Sequence, residues 1–250
     1  MVEIILHEQA WVEDALKNMQ LGKRPSETIG RIAKYYCAKG YKKAEISRMI
    51  EEFMLKCDPA INIVRWQPII DTIVRGSDKY PLIELDGVDI YEGEMEQIKQ
   101  LNGRMAQKLM FTLLCLAKYA NAVNAENNNW VNQDSRTIFS LANVAITTKR
   151  QALMINDLWQ SGLIGYSRVV DNVNINVKTI ANDGEVAIRV SDFRNIGNQY
   201  LMYAGENYCE CQNCGLVVRK SSNAMKFCRD CAVDVNRQRT SEKYWDFSVA

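Results

Sequence analysis

The sequence predicts an α+β protein that is mainly helical and carries a small β-meander, and three patterns along the chain support this prediction. Apolar residues recur at three- and four-residue steps over residues 8–74, which is typical of amphipathic helices. Apolar and polar residues alternate over 163–190, as in half-buried strands, and cysteines gather after residue 208. We therefore expect a helical domain, an acidic linker, a mixed domain and a cysteine-containing domain with a basic tail, over 1–77, 78–103, 104–195 and 196–250.

The first domain is predicted to consist of helices. The periodic segments cover residues 8–19, 26–40, 41–57 and 63–74. Ser26 can cap the second helix and Gly40 can close it, since these residue types favour helix starts and stops. Pro68 is expected to interrupt the fourth helix, because proline lacks the backbone N–H that a helix interior uses.

Residues 78–98 change character, because seven acidic residues there face a single cation, Lys79. A short hairpin is predicted around Asp86 and Gly87, within Tyr80–Tyr91. The carboxylates also raise the alternative of a two-metal nuclease, in which Asp86 and Asp89 are candidates. Their even scatter, with no second acidic strand, favours a solvated acidic surface on an ordered linker.

The mixed domain is predicted to place helices before strands. The helices are expected over Met105–Ala122, from a cap at Asp134 or Ser135 to Ala142, and from a cap at Thr147 or Thr148 to Gln160. An asparagine-rich loop covers residues 124–129, and Trp130-Val131 is a candidate short strand. The three alternating segments that form the predicted meander are 163–170, 173–180 and 185–190, and residues 192–208 then bridge to the cysteines.

Two Cys-x-x-Cys pairs with thirteen residues between them are the most specific motif in the chain: Cys211 with Cys214, and Cys228 with Cys231. Such pairs can place four thiolates tetrahedrally at about 2.3 Å from a Zn²⁺ ion. Metal binding also supplies folding free energy to a small domain that lacks a large core. We expect one structural Zn²⁺, because four thiolates leave no open coordination position. Two disulfides or an iron–sulfur cluster are alternatives, and Cys209 is an alternative ligand to Cys211.

Composition argues against several classes of function. Lys and Arg total 31 while Asp and Glu total 30, so nucleic-acid binding would have to come from local patches. His7 is the only histidine, which argues against Ser-His-Asp, Cys-His and multi-histidine metal chemistry. No apolar run approaches the roughly 18 residues of a membrane span, and the N-terminus lacks signal-peptide features. Because the cysteines outside the cluster are scattered, unlike those of a disulfide scaffold, we expect the protein to lie in the reducing cytoplasm. Because the sequence contains no membrane span, we expect no membrane partner.

The mixed domain resembles a winged helix-turn-helix. The resemblance lies in Thr147-Thr148-Lys149-Arg150-Gln151 and in Leu158-Trp159-Gln160-Ser161-Gly162-Leu163-Ile164, which are similar to the recognition helix and strand entry of bacterial winged-helix regulators. It implies that the N-terminal end of the helix beginning near Thr148 enters the major groove of duplex DNA.

The same resemblance implies roles for individual side chains. Lys149 and Arg150 would contact phosphates or guanine and Gln151 would contact adenine. Including wing and ribbon cations, the candidate nucleic-acid contacts are Thr148, Lys149, Arg150, Gln151, Arg168, Lys178, Arg219, Lys220, Arg237 and Arg239. The preceding helix carries only one cation, Arg136, and winged helices also serve as protein-interaction modules.

The first domain is similar to the small helical primase C-terminal domain found beside phage and plasmid primases. The similar segments are Arg31–Ile46, Phe53–Pro59 and Trp66–Ile73. The resemblance implies an accessory module rather than polymerase activity, because no primase catalytic acids precede it in the sequence. Residues 31–56 carry seven cations against three acids, which suits a solvated face or a nucleic-acid-facing surface.

Together these features predict a zinc-containing DNA-binding accessory protein of phage or mobile-element origin, acting in replication or transcription regulation and not an enzyme. The alternative is a phage-encoded inhibitor or adaptor that docks on a host nuclease, helicase or polymerase, which the near-zero net charge and the acidic stretch favour. Double-stranded DNA is the expected partner and a host or phage protein the second. The helix over residues 8–19 is a candidate for homodimer contacts by analogy alone.

Overall fold

Helices and small antiparallel sheets together make up the structure, a computed structural model that describes residues 4–167 and 174–248, with side chains described up to residue 240. This mixture confirms the predicted α+β class. The chain divides into one unit of Ile5–Asp86 and another of Met1–Ile4 with Gly87–Ala250. The division falls within the stretch 78–103 that the sequence predicts as a linker.

The helical unit, all of whose residues the structure describes, packs four helices around an apolar core: α1 (Glu8–Lys17), α2 (Pro25–Ala38), α3 (Lys43–Cys57) and α4 (Ile63–Gly76). Ile29, Ile32, Ile46 and Ile50 are fully buried, and their spacing along α2 and α3 gives each helix an apolar stripe. Helix α2 begins at Pro25 rather than after a Ser26 cap, since proline suits the first helical turn.

Helix α4 continues through Pro68, where the sequence predicts an interruption. The proline removes only the hydrogen bond to the carbonyl of Val64, which lies in the first turn of α4 and is 83% exposed. Thr72 Oγ1 donates to the Pro68 carbonyl oxygen at 2.8 Å. The early position of the proline therefore lets the helix persist.

Residues that follow α4 belong to the helical unit and are held there by Glu8, which is 4% exposed. Its carboxylate lies 3.2 Å from Arg31 Nε and 3.3 Å from Lys34 Nζ, and it accepts a hydrogen bond from the Ile83 backbone N–H at 3.0 Å. The first part of the predicted linker is therefore anchored to the helical unit.

The second unit alternates helices with short strands. Its elements are β1 (Val88–Tyr91), α5 (Glu92–Lys99), α6 (Arg104–Val123), β2 (Trp130–Val131), α7 (Ser135–Leu141), α8 (Thr148–Gln160), β3 (Ile164–Tyr166), β4 (Ile175–Val177), β5 (Val186–Val190), α9 (Ile196–Tyr203), β6 (Tyr208–Glu210), β7 (Val217–Arg219) and α10 (Arg229–Ser248). Helix α6 is central, because every residue from Gln107 to Ala117 is buried. Most of these residues are apolar, and the polar Gln107, Lys108 and Thr112 among them are hydrogen-bonded, as burial in a core requires.

Strand pairing differs from the prediction in two places. Strands β3 and β4 pair as expected, but β2 completes their sheet, in the order β2-β4-β3. The third predicted meander segment, β5, instead pairs with β1, so that Val88 lies opposite Val190. The predicted hairpin around Asp86 and Gly87 is therefore wrong. The physical reason is burial, since Val88, Ile90 and Val190 are all core residues.

Residues 192–208, expected to bridge, contain helix α9. Its Ile196, Tyr200 and Leu201 are buried, and the Tyr200 ring packs against Phe111 of α6 with centroids 5.6 Å apart. The helix thus completes the core of this unit between β5 and the cysteine-containing segment.

Candidate functional site

Four cysteine side chains converge in the C-terminal part of the second unit. The sulfur atoms of Cys211, Cys214, Cys228 and Cys231 all lie within 4.8 Å of one another. Three of these residues are buried and Cys214 is half-buried. Cys209, the alternative ligand, lies on β6 and is not part of this group. The cluster can hold a metal ion.

The backbone of the cysteine ribbon, which we define as residues 207–231, explains this convergence. Strands β6 and β7 pair so that the chain turns back on itself after Cys211. The Gly215 N–H donates to the Cys211 carbonyl at 2.9 Å, and the φ of +73° at this glycine is costly for other residues. The second pair lies at the start of α10, where the Ala232 N–H donates to the Cys228 carbonyl at 2.9 Å.

The thiols of Cys211 and Cys231 have pKa values shifted in opposite directions. Burial opposes the ionisation of Cys211, but backbone N–H groups of Cys228, Cys214 and Asn213 outweigh it and lower the pKa of Cys211 to about 6. The Asn213 amide, whose Nδ2 lies 3.3 Å from Cys231 Sγ, lowers the pKa of Cys231, but the other three thiols outweigh it and raise that pKa to about 12. A metal ion that uses all four sulfurs must therefore displace the proton of Cys231.

The predicted cations at the start of α8 are exposed. Thr148 begins the helix, and Lys149 and Arg150 follow in its first turn. Among the described side chains, neither cation lies within 4.0 Å of a carboxylate. Two uncompensated cations therefore lie at a helix N-terminus, where the helix dipole also favours an anion.

Gln151, predicted to read a base, is only half-exposed. Its Nε2 donates to the Ile146 carbonyl oxygen at 3.3 Å, so the amide contacts its own preceding turn. It lies on the side of α8 that carries the buried residues Ile155 and Leu158. The structure does not bring Gln151 to the exposed face of the helix.

The exposed face of α8 carries residues that the sequence analysis missed. Lys149, Leu153, Asn156 and Gln160 succeed one another at steps of four, three and four, and all four are exposed. Leu153 is 55% exposed. The helical wheel of residues 148–160 could have identified them, since this face lies opposite Ile155 and Leu158.

The remaining predicted contacts are spread over the unit. Arg168 lies outside the described residues. Lys178 is exposed just after β4, and its N–H donates to the Leu163 carbonyl at 2.9 Å. Lys178 therefore lies near the C-terminal end of α8, and about 17 Å of helix separates that end from Lys149.

The cations of the ribbon and tail are also accessible. Arg219 and Arg239 are exposed, Lys220 is half-buried, and Arg237 Nη1 lies 4.0 Å from Asp234 Oδ1 in a loose surface pair. Among the described side chains, Arg219, Lys220 and Arg239 form no ion pair. These cations are available to a polyanion, at a distance along the chain from α8.

The acidic residues of the predicted linker do not gather into a metal site in the described part of the chain, where only the four cysteines form such a group. Asp89, one of the candidates, accepts two hydrogen bonds from Arg189 at 2.6 and 2.9 Å, and this pairing lowers its pKa. Its carboxylate is therefore engaged across the β1–β5 pair.

Comparison with known proteins gives no relatives from which to infer a function, since no family model, curated protein or solved structure matches the chain. Within the described residues, every helix is too short or too polar to cross a lipid bilayer.

Proposed function

We propose that the chain is a zinc-containing accessory protein that binds double-stranded DNA and acts in replication or transcription regulation of a phage or mobile element. The observation that carries this proposal is the pair of exposed, uncompensated cations, Lys149 and Arg150, at the N-terminal end of α8. Activity as an enzyme is not part of the proposal.

The order of elements supports a winged helix-turn-helix around α8. Strand β2 lies between α6 and α7, α8 follows α7 directly, and β3 and β4 come next, in a sheet of order β2-β4-β3. In that fold the third helix presents its N-terminal residues to base edges in the major groove.

The chemistry of the exposed face of α8 suits DNA. Lys149 and Arg150 can neutralise phosphates, which supplies affinity without sequence preference. Asn156 and Gln160 present amides that can bond adenine in the major groove, and Leu153 can contact a thymine methyl group. Because the N-terminal end of the helix meets the bases, base readout would come chiefly from Arg150, while Asn156 and Gln160 lie further along the helix and Gln151 bonds the Ile146 carbonyl.

Zinc is the metal that best suits the cysteine cluster. Four sulfur ligands at about 2.3 Å in a tetrahedron lie about 3.8 Å apart, and the Cys214 and Cys228 sulfurs are 3.8 Å apart. Four thiolates close the coordination shell, so the ion would be structural and would supply folding free energy. All eight cysteines are free thiols, which supports a reducing compartment such as the cytoplasm.

The decisive experiment measures affinity for a labelled duplex at several salt concentrations. Replacing Lys149→Ala and Arg150→Ala together should flatten the slope of log K against log salt by about 1.8, since each phosphate contact contributes about 0.9. The matched control, Lys17→Ala with Lys23→Ala, removes two exposed cations of the helical unit that lie outside the cation-rich segment 31–56. If the α8 variant and the control behave alike, the proposed interface is wrong.

A second candidate function is protein binding, which exposed apolar side chains favour. Leu153, Trp159 and Met105 are 55%, 45% and 51% exposed, and these residues come from α8 and the start of α6. Apolar exposure of this kind suits a protein partner. Recovery of one stoichiometric partner from nuclease-treated extract, lost in Leu153→Asp, would support an inhibitor or adaptor of a host enzyme.

A further inference from the structure

Helix α9 touches both the cysteine ribbon and the turn that leads into α8. On the ribbon side, the Asn198 Nδ2 donates to the Val217 carbonyl of β7 at 3.0 Å. On the other side, Asn198 Oδ1 accepts from Asn143 Nδ2 at 3.0 Å. Asn143 lies between α7 and α8, so one side chain joins the ribbon to the α7–α8 turn (residues 142–147).

The side chain of Asn198 is buried, and both atoms of its amide group are hydrogen-bonded. Asn198 is 4% exposed, so both halves of its amide must be satisfied within the protein. Its two partners are the ribbon carbonyl and the turn amide. Loss of either contact would leave a buried polar group without its bond, which is unfavourable.

Backbone packing makes the junction between α9 and α7 rigid. A Cβ atom added at Gly197 would lie 2.0 Å from the Ala142 carbonyl oxygen. The Asn143 carbonyl also accepts from the Nζ of Lys108, at 2.6 Å, and Lys108 is 8% exposed. A displacement of α9 would therefore be transmitted to the α7–α8 turn rather than absorbed by loose side chains.

The ribbon itself has little apolar material to hold it together. Its core consists of three buried cysteines, with Cys214, Leu216, Val218 and Phe227 packed against them. Such a segment depends on its metal for order. A second contact, from Arg194 Nη2 to the Cys214 carbonyl at 2.5 Å, also joins the ribbon to the chain just before α9.

We propose that metal binding by the cysteine ribbon stabilises the α7–α8 turn through Asn198, so that the loaded metal site holds the N-terminus of α8 in place. The inference deepens the proposed function, because Lys149 and Arg150 follow this turn. Asn198 acts as a positioning residue and does not contact DNA or metal.

Amide hydrogen exchange on the full-length chain tests the coupling without DNA. In the structure, the N–H groups of Ala142, Asn143 and Val144 donate to carbonyls of α7. After zinc removal by EDTA, we expect these amides to exchange about two- to tenfold faster, the effect of losing one buried hydrogen bond. The amides of the α6 interior serve as the internal reference.

The variant Asn143→Gly breaks the relay at Asn198 Oδ1, and its own zinc-loaded exchange rates are the baseline that accounts for the cost of the lost bond. Asn143 is exposed and has a φ of +50°, so glycine suits its backbone, and the carbonyl that binds Lys108 remains. In this variant EDTA should change turn exchange less than twofold. The control Asn132→Ala removes an exposed amide–amide bond to Asn174 in the same unit and should respond like wild type.

Three results would overturn the inference. The exchange rates of the turn amides could be unchanged by EDTA, or the EDTA effect on them could be equal in Asn143→Gly and in wild type. The ribbon amides of Cys211 and Gly215 could also stay protected from exchange without zinc. Because the exchange experiment contains no DNA, a negative result would refute the coupling without bearing on the salt-dependence test of duplex binding. Conversely, a positive exchange result with no duplex binding would retain the coupling and refute the DNA interface.

Discussion

Lys118 and Glu94 form a buried ion pair whose disruption gives the sharpest prediction of stability. Their side chains are 9% and 1% exposed, and Lys118 Nζ lies 2.8 Å from Glu94 Oε2. The lysine also donates to the Asp89 and Ala181 carbonyls at 2.7 and 3.2 Å. Glu94 accepts from the backbone N–H groups of Tyr91 and Ala181 at 2.8 and 2.7 Å. The pair thus joins α5 and α6 to β1 and to the loop before β5.

The variant Lys118→Met keeps the length of the side chain and removes its charge. Leaving a buried partner uncompensated typically costs about 3–5 kcal/mol. We therefore expect Lys118→Met to lose about 3–5 kcal/mol of unfolding free energy at pH 7.

Exchange of the α6 amides measures the unfolding free energy of this unit separately from the helical unit. The double variant Lys118→Met with Glu94→Gln should lose less than Lys118→Met, because it leaves no buried charge without its partner. Lys226→Met, at an exposed lysine, is the matched control and should change stability by less than about 0.5 kcal/mol. A loss below about 1 kcal/mol in Lys118→Met, or an equal loss in the double variant, would contradict this prediction.

Three further changes have defined outcomes. Gly197→Ala should lower thermal stability by the equivalent of about 1–3 kcal/mol, because the added methyl meets the Ala142 carbonyl oxygen, whereas Gly93→Ala meets nothing within 4 Å and should be neutral or stabilising. Asp134 caps α7, and the hydrogen bond from the Thr137 N–H is the main cause of the lowered pKa of Asp134. Asp134→Ala should therefore lower the unfolding free energy by about 0.5–2 kcal/mol at neutral pH. The loss should become progressively smaller below about pH 4, where the wild-type carboxyl also protonates. Zinc binding to the reduced, metal-free chain should release protons and should become tighter as the pH rises, because Cys231, with a pKa of about 12, must ionise. Calorimetric titration in buffers of different ionisation enthalpy measures the number of protons released. Binding without proton release would contradict this prediction.

The parts of the structure that sequence predicted well are those set by local patterns. Helices α2, α3 and α6 carry apolar stripes that identify them without their partners. The cysteine cluster follows from short spacing in the chain, and Cys211 rather than Cys209 joins it, as the two-residue spacing predicts. The outcome reflects geometry that a few neighbouring residues determine.

The parts that sequence missed depend on contacts between distant segments. Strand β1 looked like half of a local hairpin, but its partner β5 lies about a hundred positions away, where Asp89 meets Arg189. Helix α9 is short and lies in a segment without a clear apolar period, so its packing on α6 could not be predicted from the neighbouring residues in the sequence. The half-buried position of Gln151 has a similar cause, since its bond to the Ile146 carbonyl depends on the shape of the turn.

The long-range pairing of β1 with β5 sets an order of events during synthesis. Val88 leaves the ribosome about 100 residues before its partner Val190, which at roughly 5–20 residues per second leaves an apolar strand without its neighbour for about 5–20 seconds. Residues 5–86 have their own core, so their folding does not require the synthesis of β5. Nascent chains of this protein should therefore present Val88 and Ile90 to chaperones until translation has passed β5.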